Sequence, residues 1–225
     1  MSKLNLEERK HNYDALFLLV EQVLPAPWST LMSTLKKNTD YEGTTYLGLR
    51  DAPAAKANHH AYKGGLIAHY LEMWAIYKSL DMKLIGQDPM IADDSILKGI
   101  ILHDLHKGWC NFVEDSAVPS GLNYGKHPSS SLLTQDQKTV YIASKYVTLD
   151  LLQLNAVYHS EGGWAASPPK WSSVLAKLLY LLDEFSSNVK DRTMGSSPEG
   201  TVTSVQVFGD KGVTTAISLP LDLGT

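Results

Sequence analysis

An all-α domain with a small C-terminal β-hairpin appendage is the fold class this sequence predicts, and three observations predict it. Apolar residues recur at helical spacing over most of the chain, Pro and Gly separate the periodic stretches, and only the C-terminal segment alternates as strands do. The first helix spans Leu6 to Val23, with Leu16, Leu19, Val20 and Val23 apolar, and Pro25 and Pro27 end it. A short helix follows through Trp28, Leu31, Met32 and Leu35, and the Gly- and Thr-rich segment from Asn38 to Pro53 reads as irregular. Gly65 to Leu84 carries Leu66, Tyr70, Trp74 and Tyr77 on one stripe, and Pro89 to Lys107 repeats Ile96, Leu97, Ile100 and Ile101 at helical spacing. Gly108 to Ser131 reads as a long loop, of the kind that is uncommon in a compact domain and usually functional. Helices resume over Thr134–Tyr146, Leu149–Tyr158 and Trp171–Val189. The runs TVTSVQVF and VTTAISL around GDKG then form a hairpin signal, and a hairpin alone is marginal in water, so this one must pack on the helices or on another subunit.

Composition narrows the function classes. With 44% hydrophobic and 20% charged residues in 225, the chain has enough apolar surface for a core and is not disordered. A single Cys excludes a disulfide framework and a thiolate zinc site, and suits a reducing cytoplasm. No window is long and apolar enough for a membrane span, and the charged start MSKLNLEERK lacks the apolar stretch of a secretory signal. A net charge of −4 argues against non-specific binding of long nucleic acid.

Four of the expected helices each turn an imidazole or a carboxylate toward their apolar face. His103 lies three residues after Ile100 and seven after Ile96, and Asp104 follows it. His69 sits between Leu66 and Met73, His159 follows Ala156 and Leu152 at helical spacing, and Asp183 follows Leu179 and Tyr180 within LLYLLDEF. Singly, each has an ordinary explanation: a satisfied core histidine, a histidine complementing a helix dipole, or an aspartate paired with a lysine. Jointly they describe nitrogen and oxygen ligands with no thiolate, the donor set of a borderline divalent ion, because a buried carboxylate needs a partner or a metal.

The motifs HHAYKGGLIAHYLEM, GIILHDLHKG, AVYHSEGGW and LLYLLDEFSSNV, in that order, resemble the HD superfamily of metal-dependent phosphohydrolases, and within it the HD domain of the YhaM-type 3′–5′ exoribonucleases. The resemblance runs from about Ala54 to Val189. It implies an HD-domain helical bundle, with His69, His103, Asp104 and Asp183 as the primary metal site, His159 as a further ligand of two-metal members, and His127 at the place of another. HDLHK keeps the Lys that many phosphodiesterase-like members have, but places His106 where Gly is usual. Ala68 stands where the nucleotidase branch carries its Glu-His-Ser lead-in, which weighs against a simple nucleoside monophosphatase. The oligonucleotide-binding barrel that precedes the HD domain in YhaM-type enzymes has no counterpart in the helical N-terminal residues.

These residues lead to an expected enzyme. One or two divalent ions (Mn, Fe, Co, Ni, Mg or Zn) activate a water for attack on a nucleotide phosphoester. Asp104 orients that water or takes its proton, and Lys107 reaches the scissile phosphate as a point charge, a solvated helix-capping Lys being the alternative. His59 and His60 contact phosphate ahead of the Gly64-Gly65 helix start, with a surface turn as the alternative. Trp109, Trp164 and Trp171 flank the motifs; Trp164 is expected to bind substrate by stacking on a base, a place in the core wall being the alternative for each. Expected substrates are nucleotides or short oligo- or cyclic nucleotides, without long nucleic acid or membrane, with homo-oligomers open. A deoxynucleoside triphosphate hydrolase on the same fold and a non-catalytic nucleotide sensor or scaffold are the two alternatives. The expected organisation is N-terminal helices over 1–53, a phosphohydrolase core over 54–192 and a β-hairpin appendage over 193–225.

Overall fold

A computed structural model describes residues 4–56, 59–80, 91–118, 121–160, 173–188, 204–209 and 212–218. Helix α1 (Leu6–Val23) starts with a reciprocal cap, in which the Asn5 side chain accepts from the Glu8 N–H and the Glu8 carboxylate accepts from the Asn5 N–H. Its apolar stripe of Leu16, Leu19 and Val20 is fully buried, and Pro25 separates it from α2 (Ala26–Leu35). The Tyr13 hydroxyl donates to the Met32 carbonyl at 2.9 Å and locks the two helices together.

The segment after α2 corrects the expectation of irregular chain. Residues Thr39–Tyr41 (β1) and Thr44–Tyr46 (β2) pair antiparallel across the two-residue turn Glu42-Gly43. Both turn residues have positive φ, 47° and 76°, the twist that a tight hairpin needs and that glycine supplies without strain. The Glu-Gly pair is the turn signal for it in the sequence. The long loop is likewise partly ordered into β3 (Phe112–Glu114) and β4 (Leu122–Tyr124), giving an antiparallel sheet in the order β1-β2-β3-β4. The protein is therefore mostly helical with a small mid-chain sheet, an arrangement compatible with the helical HD fold, and not all-α.

Helix α3 (Gly65–Ser79) is apolar nearly all round, with Leu66, Ile67, Tyr70, Met73 and Trp74 inaccessible to solvent, and it forms the centre of the core. It ends at Ser79, and the rest of the stretch expected to reach Leu84 lies beyond the described residues except Leu80. Helix α4 (Asp93–His103) passes into a 3₁₀ turn, Leu105–Gly108. A four-residue helix α5 (Ser129–Leu132) precedes α6 (Gln135–Ala143) and α7 (Leu151–His159), which carry capping boxes at Thr134/Gln137 and Asp150/Gln153. Helix α8 (Val174–Asn188) packs on α3, α4 and α7. Strands β5 (Ser204–Gly209) and β6 (Gly212–Ser218) form a hairpin whose backbone lies along α1 and α3. Among the described residues, no helix is long and apolar enough to cross a membrane.

A buried ion cluster ties the N-terminal helix to the start of α3. Asp51, 2% exposed, accepts from Arg9 Nε at 2.9 Å and Arg50 Nη2 at 2.6 Å, while its own carbonyl accepts from Gly64 N–H. Burial opposes ionisation of Asp51, but the two guanidiniums outweigh it and hold the carboxyl below its ordinary range. A carboxyl with a depressed folded-state pKa stabilises the fold above its unfolded pKa of about 4, and that contribution is lost as pH falls through the folded value. Asp51→Asn is expected to cost on the order of 3 kcal/mol near neutrality, since it leaves two cations without a counter-charge. Urea unfolding of the two proteins across this range is expected to show the difference shrinking as the solution is acidified.

Candidate metal centre

Three helices converge on one point because small residues let them approach. A Cβ on Gly99 would meet Leu179 Cδ1 at 2.5 Å, so α4 and α8 pack closely one turn before His103 and just before Asp183. His69 comes from the middle of α3, completely buried. His69 Nε2 lies 3.3 Å from His103 Nε2 and 3.1 Å from Asp183 Oδ1, and the three side chains form a group able to share one ion. His103 Nδ1 is 2.6 Å from the Ile100 carbonyl, which only accepts, so this nitrogen carries the hydrogen and a neutral His103 turns its lone pair into the cluster.

Asp104 ends α4 with φ −124° and ψ 13°, which breaks the helix and sends its side chain alongside that of His103. Its Oδ2 is 3.4 Å from His103 Nε2 and 2.6 Å from Lys107 Nζ. Burial raises the carboxyl pKa of Asp104, but Lys107 and then His103 outweigh it and leave it well below the ordinary range. Burial likewise opposes ionisation of Asp183, and His69 beside it more than compensates. Burial pushes the imidazole of His69 down, which keeps it neutral. A neutral imidazole and two ionised carboxylates are the state a divalent ion requires of its ligands, so the donor chemistry fits a metal.

The turn before α3 brings two more imidazoles to His69. His59 and His60 have ring centroids 5.0 Å and 5.2 Å from it, and these three histidines form a second group able to share an ion. Gly64 has φ 84°, and a Cβ on Gly65 would run into the His60 carbonyl, so both glycines are needed where the turn folds back on the helix start. Burial, followed by the neighbouring histidines, lowers the His59 imidazole to about 3. His59 Nε2 is 3.3 Å from Ser187 Oγ, which donates to Asp183 Oδ1 at 3.3 Å. His60 Nε2 is 3.0 Å from Glu72 Oε2, and Ser186 Oγ bridges Glu72 Oε2 at 2.6 Å to His69 Nδ1 at 2.9 Å. Glu72, Ser186 and Ser187 were absent from the residues expected at the site. The helical offset was their signal: Glu72 follows His69 by three positions, and Ser186 and Ser187 follow Asp183 by three and four.

Other expected site residues lie elsewhere. His127 lies apart from both histidine groups: its ring packs among Tyr41 at 4.5 Å, Tyr46 at 5.3 Å and Trp109 at 6.0 Å. The sheet that holds these tyrosines was not expected, so nothing in the sequence placed His127 on it. His159 also stands outside both groups; its Nε2 is 3.2 Å from Asn155 Nδ2, and Asn155 Oδ1 accepts from Ser173 N–H. His106 is buried in the 3₁₀ turn and lowered to about 3 by that burial. Lys63 pairs with Glu114 at the end of β3. Trp109 lines the core beside His127 and Tyr141, while Trp164 and Trp171 lie outside the described residues.

Similarity to known proteins runs over much of this same chain. The 3′–5′ exoribonuclease YhaM of Shouchella clausii is 32% identical over 151 residues, covering 64% of the chain and 45% of that protein. The dihydroneopterin 2′,3′-cyclic phosphate phosphodiesterase of Methanocaldococcus jannaschii is 25% identical over 151 residues, covering 65% of the chain and 56% of that protein. Its homologues are YhaM exoribonucleases and a cyclic phosphate phosphodiesterase. YhaM of Bacillus subtilis is 27% identical over 154 residues, covering 64% of the chain and 46% of that protein. The chain spans about half the length of the curated relatives it matches. No family model matches the chain, and no solved structure matches it significantly.

The close approach at Gly65 gives a test of how the histidine turn is held. Gly65→Ala forces the His60 carbonyl away from the helix start and is expected to destabilise the protein by about 1–3 kcal/mol, the usual range for overpacking. Chemical denaturation checks the stability, and histidine proton NMR is expected to show His59 and His60 displaced while His127 keeps its shifts.

Proposed function

We propose that this chain is a metal-dependent phosphohydrolase that cleaves phosphoester bonds of nucleotides or of short oligo- or cyclic nucleotides. The observation that carries this reading is the convergence of His69 Nε2, His103 Nε2 and Asp183 Oδ1 from three helices, with Asp104 alongside. The activities for which the relatives are named, exoribonuclease and cyclic phosphate phosphodiesterase, both concern phosphodiesters and favour a diester over a monoester. A net charge of −4 favours small substrates over long nucleic acid, and the lone cysteine favours a cytoplasmic setting.

In this reading His69, His103, Asp104 and Asp183 would hold one divalent ion of the kind that mixed nitrogen and oxygen donors bind, manganese among them. Such an ion supplies Lewis acidity, lowering the pKa of water and polarising a phosphoryl oxygen. Asp104 keeps Oδ2 on Lys107, which leaves Oδ1 to orient the attacking water or accept its proton. The Lys107 ammonium holds Asp104 ionised and adds a point charge for a non-bridging phosphate oxygen. His59 and His60, on the turn beside His69, are the proposed phosphate contacts. His127 and His159 are left out of this ligand set, because neither belongs to the groups able to share an ion.

The test is a panel of dinucleotides, 2′,3′- and 3′,5′-cyclic nucleotides, monophosphates and deoxynucleoside triphosphates, incubated with Mn²⁺ and read by mass detection. Diester cleavage is expected, with Asp104→Ala slowing it by on the order of 10²–10⁴. Triphosphate release from deoxynucleotides alone would redirect the substrate class to the triphosphohydrolase alternative. Nucleotide binding without turnover would make the chain a sensor, and a chain that takes up no divalent ion and cleaves nothing overturns the enzyme reading.

A further inference from the structure

The buried hydroxyl of Ser186 has one hydrogen and two neighbours that compete for it. Glu72 Oε2 lies 2.6 Å away and His69 Nδ1 lies 2.9 Å away. Glu72 Oε2 also receives His60 Nε2 at 3.0 Å, so two groups converge on one carboxylate oxygen. An ionised carboxylate accepts only, and the short contact therefore takes the serine hydrogen. Ser186 Oγ is then left with lone pairs toward His69, and the contact at 2.9 Å holds only if His69 Nδ1 carries the imidazole hydrogen. A neutral His69 with its hydrogen on Nδ1 has a bare Nε2.

We propose that Glu72 and Ser186 are positioning residues that fix His69 in its Nδ1–H tautomer, so that its Nε2 lone pair faces His103 and Asp183. The proposal rests on the metal-dependent reading above for its purpose, although the tautomer itself follows from the hydrogen-bond geometry. The opposite tautomer would place the hydrogen on Nε2, where Asp183 Oδ1 at 3.1 Å would capture it and both donors would be lost to a metal. It would also require Ser186 to turn its hydrogen to His69, leaving two oxygens 2.6 Å apart with no hydrogen between them. In the fixed tautomer three acceptors (His69 Nε2, His103 Nε2 and Asp183 Oδ1) crowd together without a donor, which is unfavourable unless a cation sits among them. Partners of this kind, which orient a ligand without touching the ion, contribute about 10–100-fold to metal affinity.

The full-length chain, freed of metal and labelled with ¹⁵N-histidine, provides the direct readout, because protonated and bare ring nitrogens differ in chemical shift. Wild-type protein is expected to show a protonated Nδ1 and a bare Nε2 for His69. Ser186→Ala is expected to mix or reverse the tautomer and to weaken Mn²⁺ binding by about 10–100-fold, read by calorimetric titration, while Ser186→Thr retains both properties. Glu72→Gln, which weakens the pull on the serine hydrogen, is expected to shift both readouts in the same direction and serves if Ser186→Ala fails to fold. A wild-type spectrum with the hydrogen on Nε2, or an alanine variant with unchanged tautomer and affinity, overturns the proposal. A wild-type chain with the expected tautomer that takes up no Mn²⁺ supports the tautomer assignment and overturns only the metal reading.

Discussion

An imidazole with no solvent exposure at all sets the terms for the rest of this molecule. His69 is the one polar interruption on the buried faces of α3, between Leu66, Ile67, Tyr70 and Met73. A polar group placed so deep destabilises the fold unless both of its ring nitrogens find partners, and those partners must arrive from other segments. The neighbours of its ring nitrogens come from two helices, Ser186 and Asp183 from α8 and His103 from α4. Each arrival imposes a requirement on the sequence. Gly99 permits α4 and α8 to approach, Gly64 and Gly65 permit the histidine turn to fold back on α3, and Asp51 fixes the start of α3 against α1.

Electrostatics reinforce the same construction. Burial pushes His69 toward neutrality and both carboxyls toward protonation, yet Asp104, with the Lys107 ammonium beside it, and Asp183 lie below the ordinary carboxylate range. The outcome is a site with its ligand atoms already deprotonated, so binding a cation there need not first expel many protons. Energetically this is a poor way to stabilise a bundle, since apolar residues of similar volume pack better than buried charges. Its persistence in the centre of the core is therefore better explained by what the group binds than by what it contributes to folding.

Much of this was legible in the sequence because helical periodicity is strong and local. Ile96, Leu97, Ile100 and Ile101 fix the face of α4, and His103 inherits that face; the same holds for Asp183 after Leu179 and Tyr180. What escaped was set by contacts distant in sequence. Ser186 and Glu72 are separated by more than a hundred positions, and a serine after Asp183 looks like any solvated helix residue until α3 is placed against it. The sheet escaped because three-residue strands are too short for alternation to register, although Glu42-Gly43 was a turn signal between them. His127 escaped with it, since its aromatic neighbours Tyr41 and Tyr46 belong to strands that were read as irregular chain.

The sheet is joined to the candidate metal centre and does not hang from it as a loop. Strand β3 begins four residues after Gly108, and Gly108 has no room for a side chain against Leu49, so the 3₁₀ turn bearing His106 and Lys107 is pinned to the segment leading out of β2. At its far end β3 is tied by the Lys63–Glu114 ion pair to the turn that carries His59 and His60. One short strand thus bridges the two segments that supply the candidate phosphate contacts. The connections between the sheet and these two segments are a tight glycine contact and an ion pair. The long segment after α4 is therefore best understood as a brace for the site, with Tyr41, Tyr46, Trp109 and His127 packed as its aromatic layer.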